Sequence, residues 1–339
     1  MFKVYDSNYN FLFLLDKCKD IHTTEDLSMG TKNLSFKVPV LNEYLSNIAE
    51  ENYIESSDYN YVIKEIVMES NDFFQVFCIA NYEDLSSTYF SVFDCFQQGL
   101  DQAYQYCINT SGWTLNYQSN NKTMVTYQTA NVTAWEMIKQ IAADNNQEIW
   151  FDTKNKIVNV YGKMGSSLGA YYSNELYLKQ LKKQSNSYEF ATVLYPIGKD
   201  GLTIAAINDG KTYLTNYGYT QKRIEKYWVD ENYEHAEDLK AAAEAYLEEL
   251  SQPHCSYQLK LMSLGDVHLG DEIILVDKIK KIKQKQRVVK IVRYPNEPEK
   301  DSVDISNLRE DFTTTYLKDK KQMKADIDYI KKQIQLLQK

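Results

Sequence analysis

Apolar residues near the amino terminus come in short bursts separated by polar turns. Met1-Phe2-Lys3-Val4-Tyr5 and Phe11-Leu12-Phe13-Leu14-Leu15 flank the turn-rich Asp6-Ser7-Asn8. Leu34, Phe36 and Val38 stand at every second position, as a strand with one buried face requires. Tyr61 to Met68 and Phe73 to Ile79 surround Glu69-Ser70-Asn71-Asp72, a hairpin signal. These segments predict a first β domain over residues 1–92.

The period then changes. Phe93, Leu100, Ala103, Tyr104 and Cys107 fall near helical spacing, ending at Asn109-Thr110-Ser111-Gly112. Thr133 opens a capping box with Glu136, and Val132 and Met137 occupy the positions of a hydrophobic staple. Ile138, Ile141 and Ala142 continue one face. Glu148-Ile149-Trp150-Phe151-Asp152 and Ile157-Val158-Asn159-Val160-Tyr161, either side of Thr153-Lys154-Asn155, predict another hairpin. Residues 93–187 therefore read as an α+β domain with two helices and hairpins.

Strand signals return at Phe190 to Tyr195 and at Leu202 to Ile207. Ala236, Leu239, Ala243, Tyr246, Leu247 and Leu250 keep 3.6-residue spacing, with acidic residues early and Pro253 just past the end. Tyr257 to Leu261, Glu272 to Val276 and Arg287 to Val292 are three further strands. The expectation is a second β domain over 188–312 with a helical insertion around 205–252. The fold class is α+β, mainly β.

A C-terminal helix is predicted over 313–339. Met323, Ile327, Ile330, Ile334 and Leu337 are spaced four, three, four and three, and Tyr316 extends the stripe, although Lys320 occupies one seam position. One reading is an amphipathic helix docked on the chain's own core. The preferred reading is a coiled coil that oligomerises the chain, because no further sequence follows to pack beside it. Isoleucine at both seam positions favours three or four strands over two, so a homotrimer is expected.

Composition narrows the function classes. With 43% hydrophobic and 25% charged residues, the 339-residue chain is an ordinary folded protein. Its 28 Tyr favour half-buried strands and protein contact surfaces. A net charge of -9 repels a phosphate backbone, so no specific nucleic-acid binding is expected. There is no apolar run of about 18 residues for a membrane span. No signal peptide is visible, so synthesis and folding in a cytoplasm are expected. The five cysteines (Cys18, Cys78, Cys95, Cys107, Cys255) are scattered and read as plain thiols.

Nor is a catalytic constellation evident. The phosphate-loop, dinucleotide, zinc-protease and nucleophile-elbow motifs are missing, and the four His (His22, His235, His254, His268) lack ligand spacing. His254-Cys255 places a base beside a nucleophile in sequence, but adjacent strand residues point to opposite faces. Asp266, Asp271 and Glu272 have the chemistry of a carboxylate pair or calcium ligands, yet Gly265-Asp266 and Gly270-Asp271 also read as turns between strands. The basic run Lys278-Ile279-Lys280-Lys281-Ile282-Lys283-Gln284-Lys285 reads as a solvated hairpin tip or as a contact for an acidic partner. No catalytic residue, metal or cofactor is therefore expected.

Tyr195-Pro196-Ile197-Gly198-Lys199-Asp200-Gly201-Leu202-Thr203-Ile204, followed by Gly210-Lys211-Thr212-Tyr213-Leu214, carries a resemblance. It is similar to the amino-terminal region of phage minor structural proteins of Gram-positive siphophages and prophages, the family labelled prophage endopeptidase tail or tail-associated lysin. Tyr61 to Ile66 with Asn81-Tyr82-Glu83-Asp84-Leu85, Thr133-Ala134-Trp135 through Asp152, and Leu269 to Ile273 with Arg287 to Ile291 agree in order. The resemblance reaches about Leu308. It implies a baseplate-hub fold in which two β-barrel-like domains from each of three subunits form a ring closing the tail tube. The implied partners are a distal tail protein hexamer, the tape measure protein, and receptor-binding or cell-wall-degrading parts, at the tail tip of the virion. In such proteins wall cleavage is attributed to domains beyond this region, so a non-enzymatic role is expected. The alternative is a tail-associated peptidoglycan endopeptidase.

Overall fold

Phe2–Tyr5 (β1) and Phe11–Leu15 (β2) form an antiparallel hairpin with Val4 opposite Phe13 and Phe2 opposite Leu15. Asp6 closes its turn by accepting the backbone N–H groups of Asn8 and Asn10 at 2.8 and 2.9 Å. Lys19–Asp26 (β3), Thr31–Pro39 (β4), Tyr53–Glu55 (β5), Asn60–Met68 (β6) and Phe73–Ala80 (β7) extend the sheet in the order β3-β4-β7-β6-β5-β1-β2. The predicted hairpin around residue 70 is β6 paired with β7. Val4, Leu15, Phe36, Val38, Ile54, Tyr61, Ile63 and Val76 turn their side chains into one core. The computed structural model describes residues 1–40, 47–68, 72–167, 170–173, 178–230, 233–261, 267–277 and 282–306.

Glu83–Ser87 (α1), Tyr89–Gly99 (β8), Leu100–Ile108 (α2), Thr114–Tyr117 (β9), Met124–Thr133 (β10), Ala134–Asp144 (α3), Glu148–Asp152 (β11) and Ile157–Tyr161 (β12) come next. The helix expected from Phe93 begins only at Leu100. Phe93 and Cys95 are buried at every second position of β8, and the chain turns helical after Gly99, whose N–H donates to the Gln102 side chain. The capping box is formed: the Thr133 hydroxyl accepts the Glu136 N–H at 3.2 Å, and the Glu136 carboxylate accepts the Thr133 N–H at 2.9 Å. Met137, Ile138, Ile141 and Ala142 then pack with Tyr104, Cys107, Phe151 and Val158. This core adjoins the first one. Phe151 N–H donates to Gly30 O at 2.9 Å, the Tyr59 hydroxyl donates to Phe151 O, and Asn60 N–H donates to Thr153 Oγ1 at 2.8 Å.

The chain continues through Ala170–Ser173 (β13), Leu178–Asn186 (β14), Val193–Ile197 (β15), Leu214–Thr215 (β16), Glu225–Val229 (β17), Ala236–Leu250 (α4), His254–Leu261 (β18), Glu272–Asp277 (β19), Ile282–Arg293 (β20) and Ser302–Ser306 (β21). Two compact units result, one holding Met1–Leu181 with Gln258–Ile305, the other Lys182–Tyr257. In the first, β20 pairs with β19 on one side and with β3 on the other, where Ile291 lies opposite Glu25. The strand order continues from β2 through β1-β5-β6-β7-β4-β3-β20 to β21, β18 and β14, while β19 also pairs with β20 and carries β13. In the second unit, β16-β15-β17 form a small sheet on which α4 packs through Ala243, Leu247 and Leu250 against Ala191 and Leu194. The strand expected at Leu202 to Ile207 is not there. Ala205–Ile207 is a single 3-10 turn, with Ile207 N–H on Ile204 O and Gly210 N–H on Ala205 O, while Ile204 is buried. The mainly β class with few helices is the one the sequence patterns predict. The C-terminal stripe of Met323, Ile327, Ile330, Ile334 and Leu337 lies outside the described residues.

Candidate functional site

The carboxylates singled out in the sequence serve the fold. Asp271 is buried, and its two oxygens accept the backbone N–H groups of Ser166 and His268, each at 2.8 Å. That is the turn role read from Gly270-Asp271. Glu272 pairs with Lys163 at 2.6 Å and with Lys285, and these two ammonium groups hold its carboxyl at about 2. Asp266 and the basic residues Lys278, Lys280 and Lys281 lie outside the described residues, as do the side chains of His254 and Cys255. Burial pushes the Cys18 thiol up to about 12 and the Cys78 and Cys107 thiols higher still, which leaves little thiolate for nucleophilic attack. Among the described residues no three metal-ligating side chains converge.

The most densely bonded polar cluster is structural as well. Arg287 on β20 reaches Glu148 on β11, Nη1 donating to Oε1 and Nη2 to Oε2 at 2.6 Å, with both side chains buried. Arg287 Nε donates to Gly270 O at 2.9 Å and Nη2 to Met164 O at 2.7 Å, while Met164 N–H donates to the Glu148 carboxylate at 2.6 Å. Four of the five guanidinium N–H groups and both carboxylate oxygens are engaged, so the desolvated charges are compensated. The segment after β12, the turn before β19 and strands β11 and β20 are locked together. Both residues read in the sequence only as strand positions, because a contact 139 residues apart has no local signal.

A second ionic knot shows in the pH dependence expected of the fold. Lys154, Tyr5 and Lys3 surround Glu55 and hold its carboxyl at about 2, Lys154 most strongly at 2.6 Å. Both Glu55 and Glu272 are depressed from 4.5 in the folded state. The unfolded chain therefore binds protons first on acidification, and the stability these groups contribute is present above 4.5 and lost as pH falls toward 2. Thermal unfolding followed from pH 6 to pH 2 should show Tm falling in that window, and Glu55→Gln should flatten part of the fall. A Tm insensitive to pH across it would contradict these assignments.

What the surface offers is contact chemistry. Phe11, Leu12 and Leu14 on the edge strand β2 are 55%, 37% and 45% exposed. The β8–β10 ribbon exposes Val92, Phe96 and Met124. On the small sheet of the second unit, Tyr195 and Tyr227 stack with centroids 4.8 Å apart, and Arg223 donates to the Tyr195 hydroxyl at 3.1 Å and to Glu225 at 2.6 Å. Part of the tyrosine excess thus forms an exposed aromatic face with an arginine fixed beside it, the side-chain types that dominate protein interfaces.

Comparison with known proteins agrees with this picture. Residues 169–316 match the family model described as prophage endopeptidase tail. No curated protein sequence matches the chain. Among solved structures it is similar to the prophage tail protein gp18 from Listeria monocytogenes EGD-e, with a TM-score of 0.69 at 13% identity over 95% of this chain and 99% of that one. The 43 kDa tail protein of prophage MuSo2 from Shewanella oneidensis gives 0.65 at 10% identity, covering 91% and 98%. A tail protein from Neisseria meningitidis MC58 gives 0.61 at 7% identity, covering 90% and 96%. The chain has the fold of phage tail proteins, and the resemblance read from its sequence motifs is borne out.

Proposed function

We propose that this protein is a structural component of a siphophage or prophage tail tip, a baseplate hub whose three copies form a ring that closes the tail tube. The observation that carries the reading is the match of fold along 95% of the chain to a prophage tail protein of nearly the same extent. The ring joins the distal tail protein hexamer and the tape measure protein and carries host-facing parts. Its function is geometric, closing the tube and opening on host contact, and an acidic chain suits a lumen through which DNA passes without being held. The family's name supplies the only argument for peptidoglycan cleavage, and the described residues offer buried thiols and structurally committed carboxylates instead.

Purified tails should contain the chain, and the isolated protein should scatter light as three times 39.6 kDa across a concentration series. Ile327→Asp with Ile330→Asp places charge on the heptad seam and is expected to shift assembly to concentrations about tenfold higher or more, the β domains staying folded. An unchanged oligomer mass would remove the stripe from the interface. Absence from tails, together with clearing of a peptidoglycan suspension, would favour the endopeptidase reading.

A further inference from the structure

Strands β15 and β17 of the second unit run parallel, with Tyr195 beside Tyr227 and Val193 beside Glu225. Parallel strands are usually covered on both faces. Here α4 covers one, where Leu194 is buried with Ala243 and Leu247 and Trp228 packs on Tyr246. The opposite face carries Tyr195, Tyr227 and Val229, the last two 66% and 61% exposed. Tyr213, just before β16, tilts against Tyr195 with ring centroids 5.4 Å apart and lies under the Arg223 guanidinium at 5.3 Å. Arg223 Nε donates to Glu225 Oε1, and the Tyr195 hydroxyl, which accepts from Arg223 Nη2, donates to the same oxygen at 3.4 Å. Among the described residues this leaves Arg223 Nη1 as a donor and Glu225 Oε2 as an acceptor with no bond to the protein, side by side on half-exposed side chains.

We propose that this face binds a neutral saccharide, one pyranose ring lying on Tyr227 and its hydroxyls meeting the Arg223–Glu225 pair. Tyr195 stacks on one side of the Tyr227 ring, and among the described residues no strand of this sheet lies beyond β17 on the other. That outer side presents a π face, negative at its centre, to the weakly positive C–H groups along one side of a pyranose. Each sugar hydroxyl both donates and accepts, so a vicinal diol takes a proton from Arg223 Nη1 and gives one to Glu225 Oε2. The pair is neutral as a whole, and the Glu225 carboxylate repels the phosphate or carboxylate that a lone arginine would attract. Tyrosine and arginine also suit a protein partner. The core of a protein interface excludes charge, however, and covering this pair would desolvate both ions, whereas a saccharide hydrogen-bonds them and leaves them wet. The site needs neither the ring nor the coiled coil.

A printed array of neutral and anionic oligosaccharides, probed with the full chain, tests this. Neutral hexopyranose oligomers should be retained. Tyr227→Ala removes an exposed ring, so circular dichroism and Tm should stay near wild type. Its affinity for a retained oligomer, read by titration calorimetry, should fall about tenfold or more. Tyr227→Phe keeps the stacking face and should stay within about threefold of wild type. An array that retains no oligosaccharide would overturn the proposal, as would one that retains only anionic ones. Neutral binding that Tyr227→Ala leaves unchanged also overturns it, because the ligand then sits elsewhere. The tail reading, tested by the presence of the chain in purified tails, stands or falls separately.

Discussion

Arg287→Met is expected to remove about 3–5 kcal/mol of unfolding free energy, because it leaves the Glu148 carboxylate buried without its cation. The loss exceeds that of an ordinary ion pair because three further groups depend on the guanidinium. Gly270 O and Met164 O lose their donors, and the Met164 N–H is left on a carboxylate whose charge is no longer matched. Combining Arg287→Met with Glu148→Leu removes the stranded charge and should recover a large part of the loss, leaving mainly the cost of the orphaned carbonyls. Surface pairs such as Lys156 with Asp84, both about half exposed, should change stability by less than about 1 kcal/mol when broken. Urea midpoints for the three variants would separate these cases. Equal midpoints for Arg287→Met and wild type would show that the pair contributes nothing to holding β20 to β11.

Gly165→Ala should cost a similar amount, about 3 kcal/mol or more, for a steric reason. Gly165 has φ +78°, and a Cβ built on it would lie 2.2 Å from Gly270 C and 2.4 Å from Asp271 N. Both are backbone atoms, fixed by the Asp271 carboxylate and by Arg287, so neither can move aside without breaking those bonds. Gly112 is the internal control. Its φ is +76° with nothing within 4 Å of the added Cβ, so alanine there carries only the left-handed backbone penalty of about 1–2 kcal/mol. The difference in Tm between the two variants measures the close approach itself, and equal Tm values would show that the two turns can separate freely.

The elements that were legible share a cause. Period-two burial in Phe2–Tyr5 and Ile157–Tyr161, the 3.6-residue stripe of α4, and the capping box at Thr133 are all local, each set by residues within one turn or one strand. Where local signals competed, the reading slipped. Phe93 fits the helical stripe of Leu100, Ala103 and Tyr104 as well as it fits a strand, and only the pairing of β8 with β10 decides for the strand. Leu202 to Ile207 has strand-like composition, but turn hydrogen bonds around Ile204 and Ala205 claimed its backbone. Strand β3, Lys-Asp-Ile-His-Thr-Thr-Glu-Asp, shows no apolar alternation because seven of its eight residues are only half-buried, so periodicity could not find it. Of the candidate site, the turn at Gly270-Asp271 was visible in the sequence and the edge strand β2 was visible as a strand, but not as an edge.

The sequence by itself determined the mainly β class, most of the strands and helices, the lack of a recognisable catalytic motif and, through the order of its motifs, the phage tail resemblance. Tertiary structure alone decided that β20 pairs with β3, so that strands from opposite ends of the chain share one sheet, and that Arg287 meets Glu148 across 139 residues. The division has a physical basis. Hydrophobic period reports which face of an element is buried, at the scale of a few residues, but not what it is buried against. Pairing partners are selected by the joint fit of register, side-chain volume and satisfied polar groups across the whole core, and only the assembled fold expresses them.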